Sequence, residues 1–293
     1  MVPQQQKKYS LTKGYNIQNT MSDQYKKIAI LGGGNMGIAL AKGMVASGKY
    51  RAEDITLTRR NTKALAPLVE QGYRASSNNA LAVAEADIIV LSILPQQLDS
   101  VLDNISESID PSRHLFISIV TGVAVTDIIT RIGKVVEVVR AMPNTAIAIQ
   151  ESMTCIASKN ASAENMALVK EIFSAVGETV EIEEELMSSA TALVACGIAF
   201  FLRSIRAAAQ GGTEIGFHAG DALRMAAQTA KGAASLLLHF GSHPENEIDK
   251  VTSPKGCTIA GLNEMEHNGF SSAMIKGIRT SANKAEKLYT DEK

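Results

Sequence analysis

Three glycines directly after the first apolar segment constrain the fold of this chain more than any other feature. Ile28–Leu31 has the composition of a short buried strand, and the spacing Gly32-x-Gly34-x-x-Gly37 follows it at once. A helix of small residues is predicted from there to about Gly48. In such a strand–turn–helix unit the glycines permit the tight turn, the approach of the backbone to a pyrophosphate, and close packing of helix on strand.

The pattern therefore predicts that a dinucleotide binds at the start of the first helix, where free backbone N–H groups favour phosphate. An isolated motif of this kind is often only a glycine-rich turn, but its place between a strand and a helix favours the functional interpretation. The loop residues expected to contact the cofactor are Gly32, Gly34, Asn35, Met36 and Gly37.

Strands and helices alternate from the glycine turn to about residue 183. The further predicted strands are Ile55–Thr58, Ile88–Leu91, Leu115–Ser118, 135–139, 154–157 and 179–182, and the clearest helices are 63–71 and 164–176. Gly177 stands where a glycine would end the second of these helices. Alternating strands and helices indicate βαβ units. Residues 21–183 are therefore predicted to form a Rossmann-like, doubly wound parallel α/β domain that binds NAD(P).

Only helices are predicted after residue 183. They span 183–210, 221–240, 258–267 and 271–288. The first is apolar around its circumference, which indicates burial, here against another subunit. Residues 184–293 are thus predicted to be an all-α dimerisation and substrate-binding domain. Residues 1–20 are polar and are expected to be a disordered extension.

Composition argues against several other classes of protein. Lys plus Arg total 29 against 30 Asp plus Glu, aromatics are 4% and Trp is absent, so neither a nucleic-acid surface nor a base-stacking platform is expected. No unbroken apolar run reaches the roughly 20 residues of a membrane span, so no membrane partner is expected. The three cysteines are far apart and show no metal-ligand spacing, which predicts no metal site and a reducing, cytoplasmic location.

The end of the second predicted strand indicates which dinucleotide binds. Thr58, Arg59 and Arg60 stand where an NAD site usually has Asp or Glu. Two guanidinium groups and a hydroxyl suit a 2′-phosphate, because arginine binds phosphate through charge-assisted hydrogen bonds. The cofactor is therefore predicted to be NADP, with NADPH preferred and NADH possible. The alternative is a solvated arginine pair on a loop.

Several segments, in the same order, resemble the pyrroline-5-carboxylate reductase family. They are KIAILGGGNMGIALA at 27–41, ILPQ at 93–96, VRAMPNT at 139–145, SPKGCT at 253–258 and LNEMEHNGF at 262–270. The resemblance extends from about residue 26 to 288. It implies an enzyme that reduces 1-pyrroline-5-carboxylate to L-proline with NAD(P)H, the last step of proline biosynthesis. It also implies a homodimer interlocked through the helical domain, and often a larger ring such as a decamer.

The resemblance further implies individual site residues. Thr258 corresponds to the hydroxyl that hydrogen-bonds the ring nitrogen of the substrate, although an N-terminal capping residue is the alternative interpretation. Ser253, Gly256 and Cys257 belong to the loop that would hold the substrate carboxylate on backbone N–H groups. The remaining cofactor contacts that it implies are Asn79, Ser92, Ile93, Pro95 and Asn144.

Three departures from the family pattern leave other functions open. Leu94 replaces a lysine near the cofactor, Ile198 replaces a helix-kinking proline, and Lys255 replaces a glycine whose positive φ a side chain does not easily adopt. The alternatives are an NADP-dependent reductase of another small imine or hydroxyacid, and a non-catalytic NADP-binding regulatory protein.

Overall fold

The computed structural model describes residues 26–288, so the predicted extension at 1–20 lies outside the described residues. An eight-stranded sheet forms the first part, in the order β3-β2-β1-β4-β5-β6-β7-β8. The strands are β1 (Ile28–Leu31), β2 (Ile55–Thr58), β3 (Arg74–Ser76), β4 (Ile88–Leu91), β5 (Leu115–Ser118), β6 (Glu137–Met142), β7 (Ser152–Ala157) and β8 (Gly177–Glu181).

Six helices flank this sheet. They are α1 (Asn35–Ala46), α2 (Ala66–Val69), α3 (Asn79–Ala84), α4 (Leu98–Ile105), α5 (Val125–Ile132) and α6 (Ala163–Ser174). Side chains of each central strand alternate between two cores, because successive residues of a strand point to opposite faces. Ile28 and Ile30 pack with α1 and α6, whereas Ala29 and Leu31 pack with α4 and α5. Both faces of the sheet are covered, which confirms the doubly wound α/β fold.

Two strands differ from the expected parallel arrangement. β7 is antiparallel to β6, while β8 is parallel to β7. β3 was not predicted at all, because its three residues carry no apolar run and lie at the edge of the sheet.

The predicted role of Gly177 is wrong: it begins β8 instead of ending the preceding helix, which stops at Ser174. Gly177 has φ +146°, and a Cβ there would overlap the backbone of Ser152.

Helices alone form the second part of the described chain. They are α7 (Met187–Ala190), α8 (Gly197–Glu214), α9 (Ala219–Phe240), α10 (Pro244–Lys250), α11 (Cys257–His267) and α12 (Phe270–Lys287). A π-helical turn over Thr191–Ala195 joins α7 to α8, with the Cys196 N–H donating to the Thr191 carbonyl at 2.9 Å. The short helix α10 was not predicted.

The helical part exposes much of its apolar surface. Fifteen of the 21 large apolar side chains that are exposed among residues 26–288 lie from Leu186 onward, so this surface is uncovered within one chain. The continuous helix Glu184–Glu214 is long and apolar enough, by length and composition alone, to cross a membrane. The apolar stretch 189–202 within it is interrupted by Thr, Cys and Gly, which argued against a membrane span, but these residues are uncharged and do not make the helix polar.

Candidate active site

A cavity of about 1010 Å³ opens at the carboxyl ends of β1 to β5. The order of the strands reverses between β1 and β4, and ligands of open α/β sheets bind at such a switch point. The cavity is lined by Gly32, Gly33, Gly34, Asn35, Met36, Thr58, Arg59, Arg60, Asn61, Ser77, Asn79, Ser92, Ile93, Leu94, Pro95, Gln97, Ser100, Val101, Asn104, Ile119 and Thr121.

The glycine turn is held against its neighbours too tightly to accept side chains at two positions. Gly32 has φ +114°, and a Cβ there would overlap the carbonyl oxygen of Ser92 at the end of β4. A Cβ at Gly37 would overlap the carbonyl oxygen of Gly32. The Gly33 N–H donates to the Thr58 carbonyl at 2.7 Å, which ties the turn to the end of β2.

The first turn of α1 offers unpaired N–H groups to an anion. Gly34 is the N-cap, no side chain caps the helix, and no acidic residue lies in its first turn. A Cβ added at Gly34 would meet no other protein atom within 4 Å, so the backbone is open to a ligand at this point. A helix terminus of this kind favours a negative charge. The residues present therefore fit the diphosphate of a dinucleotide.

The predicted 2′-phosphate residues lie beside this turn. The Arg59 guanidinium donates to the Gly33 carbonyl at 3.2 Å, and the Arg59 N–H donates to the Ser76 carbonyl at 3.0 Å. Thr58 is buried, whereas Arg60 is exposed. No Asp or Glu side chain lines the cavity among residues 26–288. This combination of charges suits a phosphate better than a free ribose hydroxyl.

Of the 13 predicted cofactor residues, eleven line the cavity. Gly37 does not, because its place is in the packing of α1 on β1. Asn144 does not either: its side chain caps a 3₁₀ turn by accepting from the Ala146 N–H at 3.0 Å.

Asn144 instead borders a second, apolar groove of about 550 Å³ between the last two strands and the first helical turns of the second part. Its walls include Met153, Cys155, Leu193 and Phe201, and burial raises the pKa of the Cys155 thiol.

Sequence reasoning missed several residues that line the cavity. Gln97, Ser100 and Asn104 form a polar stripe on one side of α4, opposite the buried Leu98 and Leu102. Their spacing indicates that they share one face of the helix, but the same pattern is usual for a face exposed to solvent.

Ile119 and Thr121 also line the cavity, but they follow β5 and belong to no motif. Leu94, at the position of the family lysine, lies on the cavity wall with 64% of its surface exposed.

The proposed substrate loop, residues 253–258, lies apart from the cavity within one chain. Neither Ser253 nor Thr258 is among the residues that line either cavity, and both are exposed. Gly256 is the N-cap of α11, and Thr258 is the second residue of that helix, so the capping interpretation of Thr258 is wrong. Lys255 adopts φ +60° in spite of its side chain.

Glu184 joins the two parts of the chain through a buried ion pair. Its carboxylate accepts from the Val125 N–H at 2.7 Å and from the Arg140 guanidinium at 3.3 Å. The side chains of Arg140 and Glu184 are only 7% and 5% exposed. Burial lowers the pKa of Arg140, and the charge of Glu184 opposes that effect. Glu184 lies in the acidic run 181–185, EIEEE, whose composition does not distinguish it from its neighbours. No group of three or more His, Cys, Asp or Glu side chains within residues 26–288 could hold a metal ion.

Each part of the chain matches a family model. Residues 184–288 match the model for pyrroline-5-carboxylate reductase dimerisation, and residues 27–122 match the model for NADP oxidoreductase, coenzyme F420-dependent. Among solved structures, the chain is similar to a Plasmodium falciparum pyrroline carboxylate reductase with NADP bound, with 27% identity, a TM-score of 0.81, and 90% and 98% of the two chains covered. A Coxiella burnetii pyrroline-5-carboxylate reductase matches with 26% identity and a TM-score of 0.83, over 90% and 99% of the chains.

Two relatives from Dictyostelium discoideum are more similar in sequence. Pyrroline-5-carboxylate reductase 2 is 48% identical over 89% of this chain and 93% of its own length. Pyrroline-5-carboxylate reductase 1 is 52% identical over 90% of this chain, but the chain spans only about half of that relative, 50% of its length. The same family is therefore found by the motifs, by the model of the helical part and by full-length relatives, and this chain belongs to the pyrroline-5-carboxylate reductase family.

Proposed function

We propose that this chain reduces 1-pyrroline-5-carboxylate to L-proline with NADPH, the final step of proline biosynthesis. The observation that carries the proposal is the 48% identity to a pyrroline-5-carboxylate reductase over 93% of that protein. The substrate is a cyclic imine with a carboxylate, so the protein has to bind the anion, orient the ring and hydrogen-bond its nitrogen. When bound, NADPH supplies the hydride that the imine carbon accepts.

The preference for NADPH over NADH is supported by the charges around the cavity. Arg59 and Arg60 lie beside the glycine turn, and no carboxylate is present there to bind a 2′-hydroxyl or to repel a phosphate. One related structure contains NADP. Equal or better kcat/KM with NADH would contradict this preference.

The three possible functions differ in a direct assay of the purified chain. Consumption of NADPH together with formation of proline from 1-pyrroline-5-carboxylate is the expected result. Turnover only with another small imine or a hydroxyacid would favour the alternative reductase. Binding of NADPH without turnover of any of these substrates would favour a regulatory protein.

Thr258→Ala is expected to lower kcat/KM for 1-pyrroline-5-carboxylate about tenfold or more, the effect of one lost hydrogen bond in a transition state. The Thr258 side chain makes no hydrogen bond to other residues of the 26–288 region, so its hydroxyl is available to the substrate. Thr258→Ser is the matched control and should keep most of the activity. Steady-state kinetics measures both, together with the Kd for NADPH, which should not change. An unchanged rate in Thr258→Ala would remove this hydroxyl from the mechanism.

We also propose that two chains form the site together. The chain then has a cofactor domain, 21–183, and a helical domain, 184–293, whose exposed apolar helices are covered by a second copy. Three observations support this: the loop 253–258 lies away from the cavity in its own chain, the apolar side chains of the helical part are uncovered, and residues 184–288 match a dimerisation model. A larger ring such as a decamer would be built from these dimers.

Mixing two impaired variants is expected to restore activity if the site is shared. Gly32→Ala damages the cofactor half and Thr258→Ala the substrate loop. After random exchange of subunits, a shared site would give about a quarter of the wild-type sites, because each mixed dimer contains one intact pair. Activity after mixing, with the molar mass measured by light scattering without detergent, tests this. A monomer in solution, or no gain after proven exchange, would contradict the proposal.

We also propose a cytoplasmic location, which fits the cysteines. Cys155, Cys196 and Cys257 are free thiols, as expected in a reducing compartment. The apolar helix Glu184–Glu214 would then be covered by the second copy and not by lipid.

A further inference from the structure

Thr121 brings a hydroxyl to one end of the cofactor cavity. It follows β5 and precedes Gly122, whose φ of +78° turns the chain toward α5. The side chain is half-buried and lines the cavity. Its hydroxyl has no hydrogen-bond partner in the described region, 26–288. The backbone therefore does not use this group, although the fold places it on the cavity wall.

The order of the strands gives the cavity a direction. Arg59 and Arg60 follow β2, the glycine turn follows β1, Ser92 follows β4 and Thr121 follows β5. These four strands are neighbours in the order β2-β1-β4-β5, so the ends of β2 and β5 are about 14 Å apart at roughly 4.8 Å per strand. With its diphosphate on α1 and its 2′-phosphate at β2, a dinucleotide must extend its other half over β4 and β5.

The side chains at the β5 end suit a flat ring that carries an amide. Ile93, which follows β4, and Ile119, which follows β5, are apolar, and Ser92 and Thr121 contribute hydroxyls after the same two strands. The Ser92 hydroxyl lies close to α1, because a Cβ placed on Gly37 would be 3.1 Å from its Oγ. Thr121 follows β5, one strand further along the sheet. Its hydroxyl is therefore not part of the contact between α1 and the end of β4.

We propose that Thr121 fixes the nicotinamide half of the cofactor, through a hydrogen bond between its hydroxyl and the carboxamide. This would set the face of the ring that is turned toward the substrate. The inference rests on the NADP binding that the proposed function includes, but it does not depend on which imine is reduced.

Binding measurements on the full chain separate this role from a structural one. The ligands are NADPH and adenosine 2′,5′-bisphosphate, which carries the 2′-phosphate but has no nicotinamide. We expect Thr121→Val, which keeps the shape and removes the hydroxyl, to weaken NADPH binding about tenfold, as for one lost hydrogen bond, and to leave the bisphosphate unaffected. Thr121→Ser should bind both ligands as the wild type does. Arg60→Ala should weaken both.

Three results would overturn the inference. Equal weakening of the two ligands by Thr121→Val would show a general disturbance of the cavity. Wild-type binding of NADPH by that variant would show that the hydroxyl makes no contact. Loss of NADPH binding in Thr121→Ser, equal to that of the valine variant, would show that the hydroxyl alone does not hold the cofactor and that any change of this side chain disturbs the cavity. If the expected pattern appears without any reduction of 1-pyrroline-5-carboxylate, the proposed substrate is wrong and the role of Thr121 stands.

Discussion

Replacing Gly32 with alanine is expected to raise the Kd for NADPH about 100-fold, because the backbone that holds the diphosphate has to move. Gly32 has φ +114°, and its new Cβ would overlap the Ser92 carbonyl oxygen. Neither atom belongs to a flexible side chain, so the glycine turn and the end of β4 must separate. Losing about two hydrogen bonds to the charged diphosphate, at about 1.5 kcal/mol each, corresponds to about 100-fold in Kd. The strain should also lower the free energy of unfolding by about 2–5 kcal/mol.

Gly48→Ala is the matched control for this substitution. Gly48 also has a positive φ, +74°, but a Cβ there would meet no atom within 4 Å. Only the cost of the left-handed backbone remains, about 1 kcal/mol, and the Kd for NADPH should not change. Calorimetric titration with NADPH and unfolding in urea measure both variants. Wild-type affinity in Gly32→Ala, or an equal loss in Gly48→Ala, would show that crowding at Ser92 is not what makes glycine necessary.

Local patterns were sufficient to predict the half of the site that is built from one strand–turn–helix unit. The strands Ile28–Leu31 and Ile88–Leu91 are continuous apolar runs, because strands covered on both faces need apolar side chains throughout. The glycine spacing fixes the turn, and the arginines follow the next strand directly. Each of these signals lies within a few residues of the structure that it predicts.

Features that depend on distant neighbours could not be predicted in this way. Thr121 lines the cavity only because β5 lies beside β4, and no local pattern states that order. The direction of β7 depends on a short connection: from Met142 to Ser152 the chain has no room for the dozen or more residues of a parallel crossover, so β7 returns antiparallel. The separation of the loop 253–258 from the cavity depends on a second copy of the chain, in the interpretation proposed above.

The buried ion pair of Glu184 also could not be predicted from the local sequence. Glu184 stands in the run Glu181-Ile182-Glu183-Glu184-Glu185, which has the composition of a solvated helix start. Only the tertiary structure distinguishes it from its neighbours, because it brings Arg140 and the N–H of Val125 to one carboxylate. Glu185, the next residue, pairs with Lys159 at the surface.

Glu184→Ala is therefore expected to lower the free energy of unfolding by about 3–5 kcal/mol, the cost of leaving a buried charge without its partner. Arg140 would keep its burial and lose its carboxylate, and the Val125 N–H at the start of α5 would lose its acceptor. Glu185→Ala is the control, with an expected loss below about 1 kcal/mol, because its ion pair is exposed. Urea unfolding at one fixed protein concentration measures both, since association also contributes to stability.

A double substitution distinguishes a lone buried charge from a lost attraction. If the penalty arises chiefly from the unpaired guanidinium, replacing both partners by apolar residues, Arg140→Met with Glu184→Leu, should recover the part of the stability lost in Glu184→Ala that is due to the charge, and the unpaired Val125 N–H accounts for the remainder. If the attraction itself held the helical part on the sheet, the double variant would be as unstable as the single one. Equal stability of Glu184→Ala and Glu185→Ala would contradict both, because the buried pair would then contribute no more than a surface pair. Recovery in the double variant would mean that Glu184 is required chiefly because Arg140 is buried beside it.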